Sequence, residues 1–309
     1  MSQRVIILGA AGRMGQAACE AFLDAGWSVT AFGRRLADRL ESREGLTCLE
    51  GDALDQDGLV KACSGHDVIF NALNPPYSHW SRVVPQFTAN VIAAAKVSGA
   101  RIAIPGNVYV YGQTMPPVLR DDTPFQPSNS KGRLRAEMEA SYRDSGVPTL
   151  ILRCGDFIDT RVSGNWLESH MLAKIHKGEF MYPGPTDLMH AWAFLPDVAR
   201  GFVALLDQPG ALARFESIGF AGYALTGQDL INTVEQVEGR RPKLTGLPWP
   251  IIRLMGLFDG VMRGVVEMSY LWRTPHHIES ERFQTLCPDF SVTPVTEAVR
   301  QSIAAVRES

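Results

Sequence analysis

The first half of the chain alternates short apolar runs with segments of helical period. Val5–Leu8, Ser28–Phe32, Thr47–Leu49, Val68–Asn71 and Arg101–Ile104 are apolar stretches of strand length, the pattern of strands buried in a parallel sheet. Between them, Gly15–Ala25, Arg35–Ser42, Asp57–Cys63 and Val83–Ser98 repeat their apolar residues at helical spacing. The rhythm resumes with a helix over Gly132–Ser145, a strand over Pro148–Arg153, a helix over Leu195–Leu206 and a strand over Phe215–Gly219. This alternation predicts an α/β fold, a doubly wound parallel sheet with right-handed crossovers.

Two stretches break the rhythm. Residues 156–193 and 241–309 are richer in Pro, Trp and Met. They are expected to form a smaller, mostly helical lobe, leaving residues 1–155 and 194–240 to the sheet domain. The lobe's aromatic and methionine residues, among them Trp166, Met171, Phe180, Trp192, Met255, Phe258, Met262, Met268 and Trp272, form stripes of the kind usually found in cores. Few cations cluster there beyond Arg253 and Arg263, which favours an apolar or weakly polar small-molecule substrate. The one long irregular segment, Tyr111–Ser130, holds four prolines; loops of that length in compact domains are usually functional or mobile.

Composition narrows the setting. A net charge of -3 with no block of like charges gives no basis for a nucleic-acid or anionic-membrane partner. Five cysteines with no Cys-x-x-Cys pair fit a reduced, cytoplasmic protein. The histidines lack metal-ligand spacing, so no metal is expected, and His276-His277 reads as a solvated turn. The apolar run after Met1-Ser2-Gln3-Arg4 is too short for a signal peptide. Leu247–Trp272 is apolar but is broken by Arg253, Asp259, Arg263 and Glu267, which predicts amphipathic helices packed on a domain and not a membrane span.

The strongest motif is Gly9-Ala10-Ala11-Gly12-Arg13-Met14-Gly15, between the first strand and the first helix. Gly9 makes the turn, Gly12 lets backbone approach a pyrophosphate, and Gly15 lets helix pack on strand. The free N–H groups of the helix start then face the anion. This placement marks a Rossmann-type dinucleotide site in which Gly9, Ala11, Gly12, Arg13, Met14 and Gly15 bind cofactor. The glycine spacing resembles that of the extended and atypical short-chain dehydrogenase/reductases, and the resemblance runs over almost the whole chain.

The second strand ends at Phe32-Gly33-Arg34-Arg35, with no acid to receive a ribose 2′-hydroxyl. Two guanidinium groups suit a 2′-phosphate, and Arg13 is a third candidate for that clamp. NADP(H) is therefore expected over NAD(H), with Gly33, Arg34 and Arg35 at the phosphate. Gly51-Asp52-Ala53-Leu54-Asp55 resembles the family's Gly-Asp-x-x-Asp segment, which places Asp52 and Ala53 beside the adenine; Asp55 reads as a helix cap. Asn71-Ala72-Leu73 resembles the family's cofactor-lining stretch after strand four. Leu152-Arg153-Cys154-Gly155-Asp156-Phe157 resembles the segment near the nicotinamide, with Cys154 and Gly155 at the cofactor. Leu195-Pro196-Asp197-Val198-Ala199 matches the Asp-Val-Ala signature, with Asp197 structural, and His190-Ala191-Trp192 before it is a candidate cavity wall.

The resemblance implies a Ser or Thr before Val-Tyr-Gly, then Tyr-x-x-x-Lys. Here Val110-Tyr111-Gly112 and Ala136-Glu137 set the frame. Asn107 stands at the Ser position, Asn129 at the Tyr position and Arg133 at the Lys position. All three keep hydrogen bonding and lose ready proton transfer. Residues beyond the carboxyl ends of the strands offer substitutes: Tyr77, His79, Tyr109, Tyr111 and Lys131, with Tyr111 and Lys131 the leading pair.

Three readings follow: an NADP(H)-dependent oxidoreductase on a small substrate, a non-catalytic NADP(H) sensor, and an epimerase or dehydratase. The missing tyrosine weighs most against the third. Homodimers are common for such folds, although no residue demonstrates one here.

Overall fold

In the computed structural model, which describes residues 2–36 and 39–309, the first apolar run becomes strand β1 (Arg4–Leu8), with Val5, Ile6, Ile7 and Leu8 fully buried. There follow α1 (Arg13–Asp24), β2 (Ser28–Gly33), β3 (Leu46–Glu50), α2 (Gln56–Cys63), β4 (Val68–Asn71), α3 (Trp80–Ser98) and β5 (Arg101–Gly106). After the short β6 (Val118–Leu119) come α4 (Ser130–Asp144), β7 (Thr149–Arg153), β8 (Asp156–Ile158), β9 (Glu179–Tyr182), β10 (Met189–Phe194), α5 (Leu195–Leu206) and β11 (Phe215–Gly219). The last part carries β12 (Tyr223–Thr226), α6 (Gly227–Glu238), β13 (Lys243–Gly246), α7 (Trp249–Met255), α8 (Gly260–Met268), β14 (His277–Ile278), α9 (Glu281–Leu286) and α10 (Val295–Glu308).

Seven strands form one parallel sheet in the order β11-β7-β5-β4-β1-β2-β3. β1 lies between β2, which starts one arm, and β4, which starts the other. The winding therefore reverses at β1, and the crevice beyond its carboxyl end is where such sheets hold ligands. One face packs α1 and α5 around Phe22, Phe70 and Phe202, whose rings meet edge to face at 5.9 and 4.8 Å. The other packs α2, α3 and α4 around Ile6, Ile69, Ile102 and Tyr142.

The structure corrects several expectations. The strand at Thr47–Leu49 is not buried: it is the sheet edge, and Leu49 is 40% exposed. Of the helix expected over Arg35–Ser42, Ala37 and Asp38 lie outside the described residues; the rest shows one turn, the Arg39 and Leu40 amides donating to the Leu36 carbonyl. α3 starts at Trp80, before the expected Val83, because the buried Trp80 indole donates to the Pro75 carbonyl at 2.8 Å. α4 starts at Ser130 because Asn129 caps it, its Oδ1 accepting from the Gly132 amide.

Residues 223–238, expected with the sheet domain, pack instead in the lobe. β12 turns back to pair antiparallel with β10, and α6 buries Leu230, Ile231 and Val234 with α10 and Trp272. α9, expected in the lobe, buries Phe283 and Leu286 in the sheet domain's core, against Phe220. The proline-rich segment is tied down. β6 pairs with β14, and Asp121 accepts from the Gly219 amide and the Ser280 hydroxyl. Asp197 is structural as expected: 1% exposed, it accepts from both the amide and the hydroxyl of Thr293. No helix among the described residues is long and apolar enough to cross a membrane.

Candidate active site

One continuous cavity of about 1220 Å³ runs from the glycine loop to the lobe. Gly9, Ala11, Gly12, Arg13 and Met14 line its start, Gly33, Arg34, Asp52 and Ala53 one side, and Asn71, Ala72, Leu73, Cys154 and Gly155 its floor. Its far end is closed by Tyr77, Tyr109, Asp156, Trp166, Met262, Met268 and Trp272. Trp192, expected at the wall, is fully buried and does not line it; His190 stands behind Asp156.

The loop is built as an anion cradle. Gly9 has φ of +76°, and its amide donates to the Phe32 carbonyl at 2.9 Å, fixing the turn against β2. Gly12 caps α1 without a side chain, and no acid occupies the first helical turn, which leaves the helix amides open to an anion. Gly15 lies outside the cavity. A Cβ there would stand 2.3 Å from the Gly9 carbonyl oxygen, so it packs helix on loop and does not touch ligand. Gly155 is likewise required by packing: a Cβ would meet the Ala191 carbonyl oxygen at 2.1 Å. Gly155→Ala is expected to destabilise the protein by about 1–3 kcal/mol in urea unfolding, because backbone and not a flexible side chain must yield.

At the β2 end, Arg34 is exposed and lines the cavity. Arg35, exposed and at φ +54°, is not among the residues that line it. Arg13 also departs from the expected clamp: its Nη1 donates to Asn165 Oδ1 in the lobe. Asp52 lines the cavity while its Oδ1 accepts from the Leu54 amide; Asp55 caps α2 as expected. Asn71 spends its side chain on the wall, donating to the Tyr142 hydroxyl and accepting from the Leu73 amide.

The catalytic frame is where sequence and structure part. Asn107 lines the cavity, its Oδ1 accepting from the Tyr109 amide. Asn129 is a helix cap and Arg133 is exposed on the outer face of α4. Tyr111 is 3% exposed and sits under the Arg153 guanidinium, away from the cavity. Lys131 is bound by Glu267 of α8 and does not line the cavity either. The face of α4 turned inward carries Lys131, Arg135 and Glu139, one helical turn apart. The residue that reaches the cavity is thus Arg135, two positions beyond the expected one. Its guanidinium lies over the Trp80 ring at 4.4 Å, its Nη2 donates to Asn74 Oδ1 at 3.2 Å, and its buried Nε has no partner among the described residues.

Beside Arg135 the Tyr77 and Tyr109 hydroxyls meet at 2.8 Å, both lining the cavity. Burial pushes the Tyr109 phenol well above its ordinary pKa, helped by Tyr77 and the charge of Asp156; burial raises Tyr77 too. Both are therefore neutral donors at working pH. Among the described residues no cluster could hold a metal ion, and His276, expected in a solvated turn, is fully buried. Burial and the neighbouring His190 pull its pKa down to about 3.

A family described as NAD(P)H-binding matches residues 9–171, more than half of the chain. The chain belongs to this NAD(P)H-binding family. A 2-alkyl-3-oxoalkanoate reductase from Shewanella oneidensis is 32% identical over 108 residues, 35% of this chain and 27% of that protein. The match thus spans about a quarter of the relative's length. The solved structure of WbmH from Bordetella bronchiseptica in complex with NAD+ superposes with a TM-score of 0.78 at 18% identity, covering 100% of this chain and 99% of that one. UDP-glucuronic acid 4-epimerase from Bacillus cereus, in complex with UDP-glucuronic acid and NAD, gives 0.78 at 14% identity, covering 99% of each chain. At these identities the two structures establish the shared Rossmann-type fold.

In this NAD(P)H-binding chain the sequence reading had missed Arg135, and the signal was present: Lys131, Arg135 and Glu139 fall on one stripe at intervals of four. It also passed over Glu168. This carboxyl, 1% exposed, accepts from the Asp159 amide and the Ser302 hydroxyl, behind the cavity-lining residues Ser163–Asn165. Burial raises its pKa to about 7. The folded protein therefore holds this proton more tightly than the unfolded chain. Its contribution is full below pH ~4.5 and is lost as pH rises to ~7, a difference on the order of 3 kcal/mol. Glu168→Gln should flatten that window in urea unfolding at pH 5 and pH 7.5.

Proposed function

We propose that the protein is an NADP(H)-dependent oxidoreductase that reduces the carbonyl of a small, largely apolar substrate. One observation carries this reading: the Tyr77–Tyr109 hydroxyl pair stands in the wall of the same cavity that begins at the glycine loop. The cradle fits a dinucleotide, with helix amides open at Gly12, small Ala72 on the floor and no acid at the end of β2. Glu50, on the adjoining strand, is tied to the Leu36 amide at 3.3 Å. Arg34 supports the phosphorylated cofactor over NAD(H), because a guanidinium matches a 2′-phosphate in charge and geometry.

Bound NADPH supplies the hydride. Tyr109 donates its hydroxyl proton to the carbonyl oxygen as negative charge develops there, and Tyr77 donates in turn to the Tyr109 oxygen. Arg135 places a fixed positive charge beside that oxygen. Asn107 holds the Tyr109 backbone in position. The resemblance of part of the chain to a 2-alkyl-3-oxoalkanoate reductase supports a keto substrate with an apolar chain, and Met262, Val265, Met268 and Leu271 provide an apolar wall for it.

Titration calorimetry with NADPH and NADH tests the cofactor assignment. NADPH is expected to bind more tightly, and Arg34→Ala should weaken NADPH by about tenfold while leaving NADH unchanged. Equal affinities in the unaltered protein would contradict the 2′-phosphate assignment.

A further inference from the structure

The lobe contributes one charged side chain to the cavity among the described residues: Asp156. Its other lining residues there are Phe157, Ser163, Gly164, Asn165, Trp166, His170 and the apolar residues of 261–272, while the lining arginines (Arg13, Arg34, Arg82 and Arg135) all come from the sheet domain. An ionised carboxylate in such surroundings needs partners. Asp156 has one. His190 Nε2 lies 2.7 Å from its Oδ2, and His190, 3% exposed, stacks on Trp272 with ring centroids 4.5 Å apart and planes at 10°. The His276 ring meets the same imidazole edge to face at 4.5 Å. The carboxylate is thus held in place, 22% exposed toward the cavity, and no described residue donates to Oδ1. Trp166 and Trp272, edge to face at 5.2 Å, stand beside it.

We propose that Asp156 Oδ1, fixed by His190, is a substrate subsite that takes a hydroxyl or amine on an otherwise apolar molecule and turns away anionic groups. The free acceptor demands a donor, the tryptophans cover an apolar body, and among the described residues no cation of the lobe lines the cavity to neutralise a carboxylate or diphosphate beside Asp156. This subsite deepens the reading of the cavity as a reductase site and rests on it for its role. It separates substrates of this protein from nucleotide-sugar diphosphates.

Quenching of tryptophan fluorescence by 1-octanol, octylamine and octanoate, which share one carbon skeleton, tests the subsite with and without NADPH. Octanol and octylamine are expected to bind, and octanoate at least about tenfold more weakly. Asp156→Asn should remove most of that discrimination, with Asp156→Ser as the second variant if the first does not fold. Octanoate binding the unaltered protein as tightly as octanol, or an unchanged ranking in the folded variant, would overturn the subsite. Because the ranking is read without cofactor as well, failure of NADPH to bind would remove the oxidoreductase reading and leave the subsite decided on its own.

Discussion

Tyr109→Phe is expected to lower kcat about 10²–10⁴-fold in NADPH-dependent reduction while leaving NADPH affinity unchanged. The proposed donor is this phenol, which lines the cavity with Arg135 and has the Tyr77 hydroxyl as its side-chain partner at 2.8 Å. Tyr77→Phe removes the relay but keeps the Tyr109 hydroxyl, so its loss should be smaller, about tenfold. Lys131→Met and Tyr111→Phe are the controls. Both residues lie outside the cavity, so their turnover should stay near that of the unaltered protein. Steady-state kinetics on the four variants, with cofactor affinity measured separately, distinguishes these roles. A full loss in Lys131→Met with none in Tyr109→Phe would move the proton back to the lysine.

The second large effect is on folding. Arg153 and Glu139 form a two-pronged ion pair, at 3.0 and 2.7 Å, with side chains 3% and 1% exposed. The guanidinium also donates to the Asn107 carbonyl at 2.7 Å and to Ser217 at 3.1 Å, so it ties β7, α4, β11 and the turn before Tyr109 together. Burial alone would lower the arginine pKa, but the Glu139 charge outweighs it and raises it further. Glu139→Ala leaves that cation buried and unpaired, which should cost about 3–5 kcal/mol in urea unfolding. The double variant Glu139→Leu/Arg153→Leu should recover much of the loss, because no orphaned charge remains. Equal destabilisation in both would show that the pair contributes mainly shape.

The parallel sheet was legible because its strands are continuous apolar runs and its helices carry one apolar face. Val68–Asn71, Leu195–Leu206 and Phe215–Gly219 fall on the expected residues. Edges were not legible: Thr47–Leu49 has a strand's composition whether or not anything covers it. Nor was the partition of the final third, since β12 follows β11 in the chain but reverses to pair with β10. The glycine loop was legible because its spacing encodes a backbone shape. The cation of α4 that faces the cavity was not, because landmarks in sequence fix residue counts and not helix faces. A two-residue offset turned Arg133 to solvent and Arg135 to the cavity. Asn129, read as chemistry, is a cap. Arg13 shows the same limit: its charge was visible, but its partner, a lobe asparagine, was not.

The reductive reading is tested most directly by following the label from NADPH deuterated at C4 into the product of an uncharged alkyl ketone. Deuterium on the new carbinol carbon, with NADP+ formed in equal amount and both lost in Tyr109→Phe, is the predicted result. NADPH that binds tightly yet gives no label to any carbonyl offered would contradict it, and would leave a protein that senses the cofactor without using it.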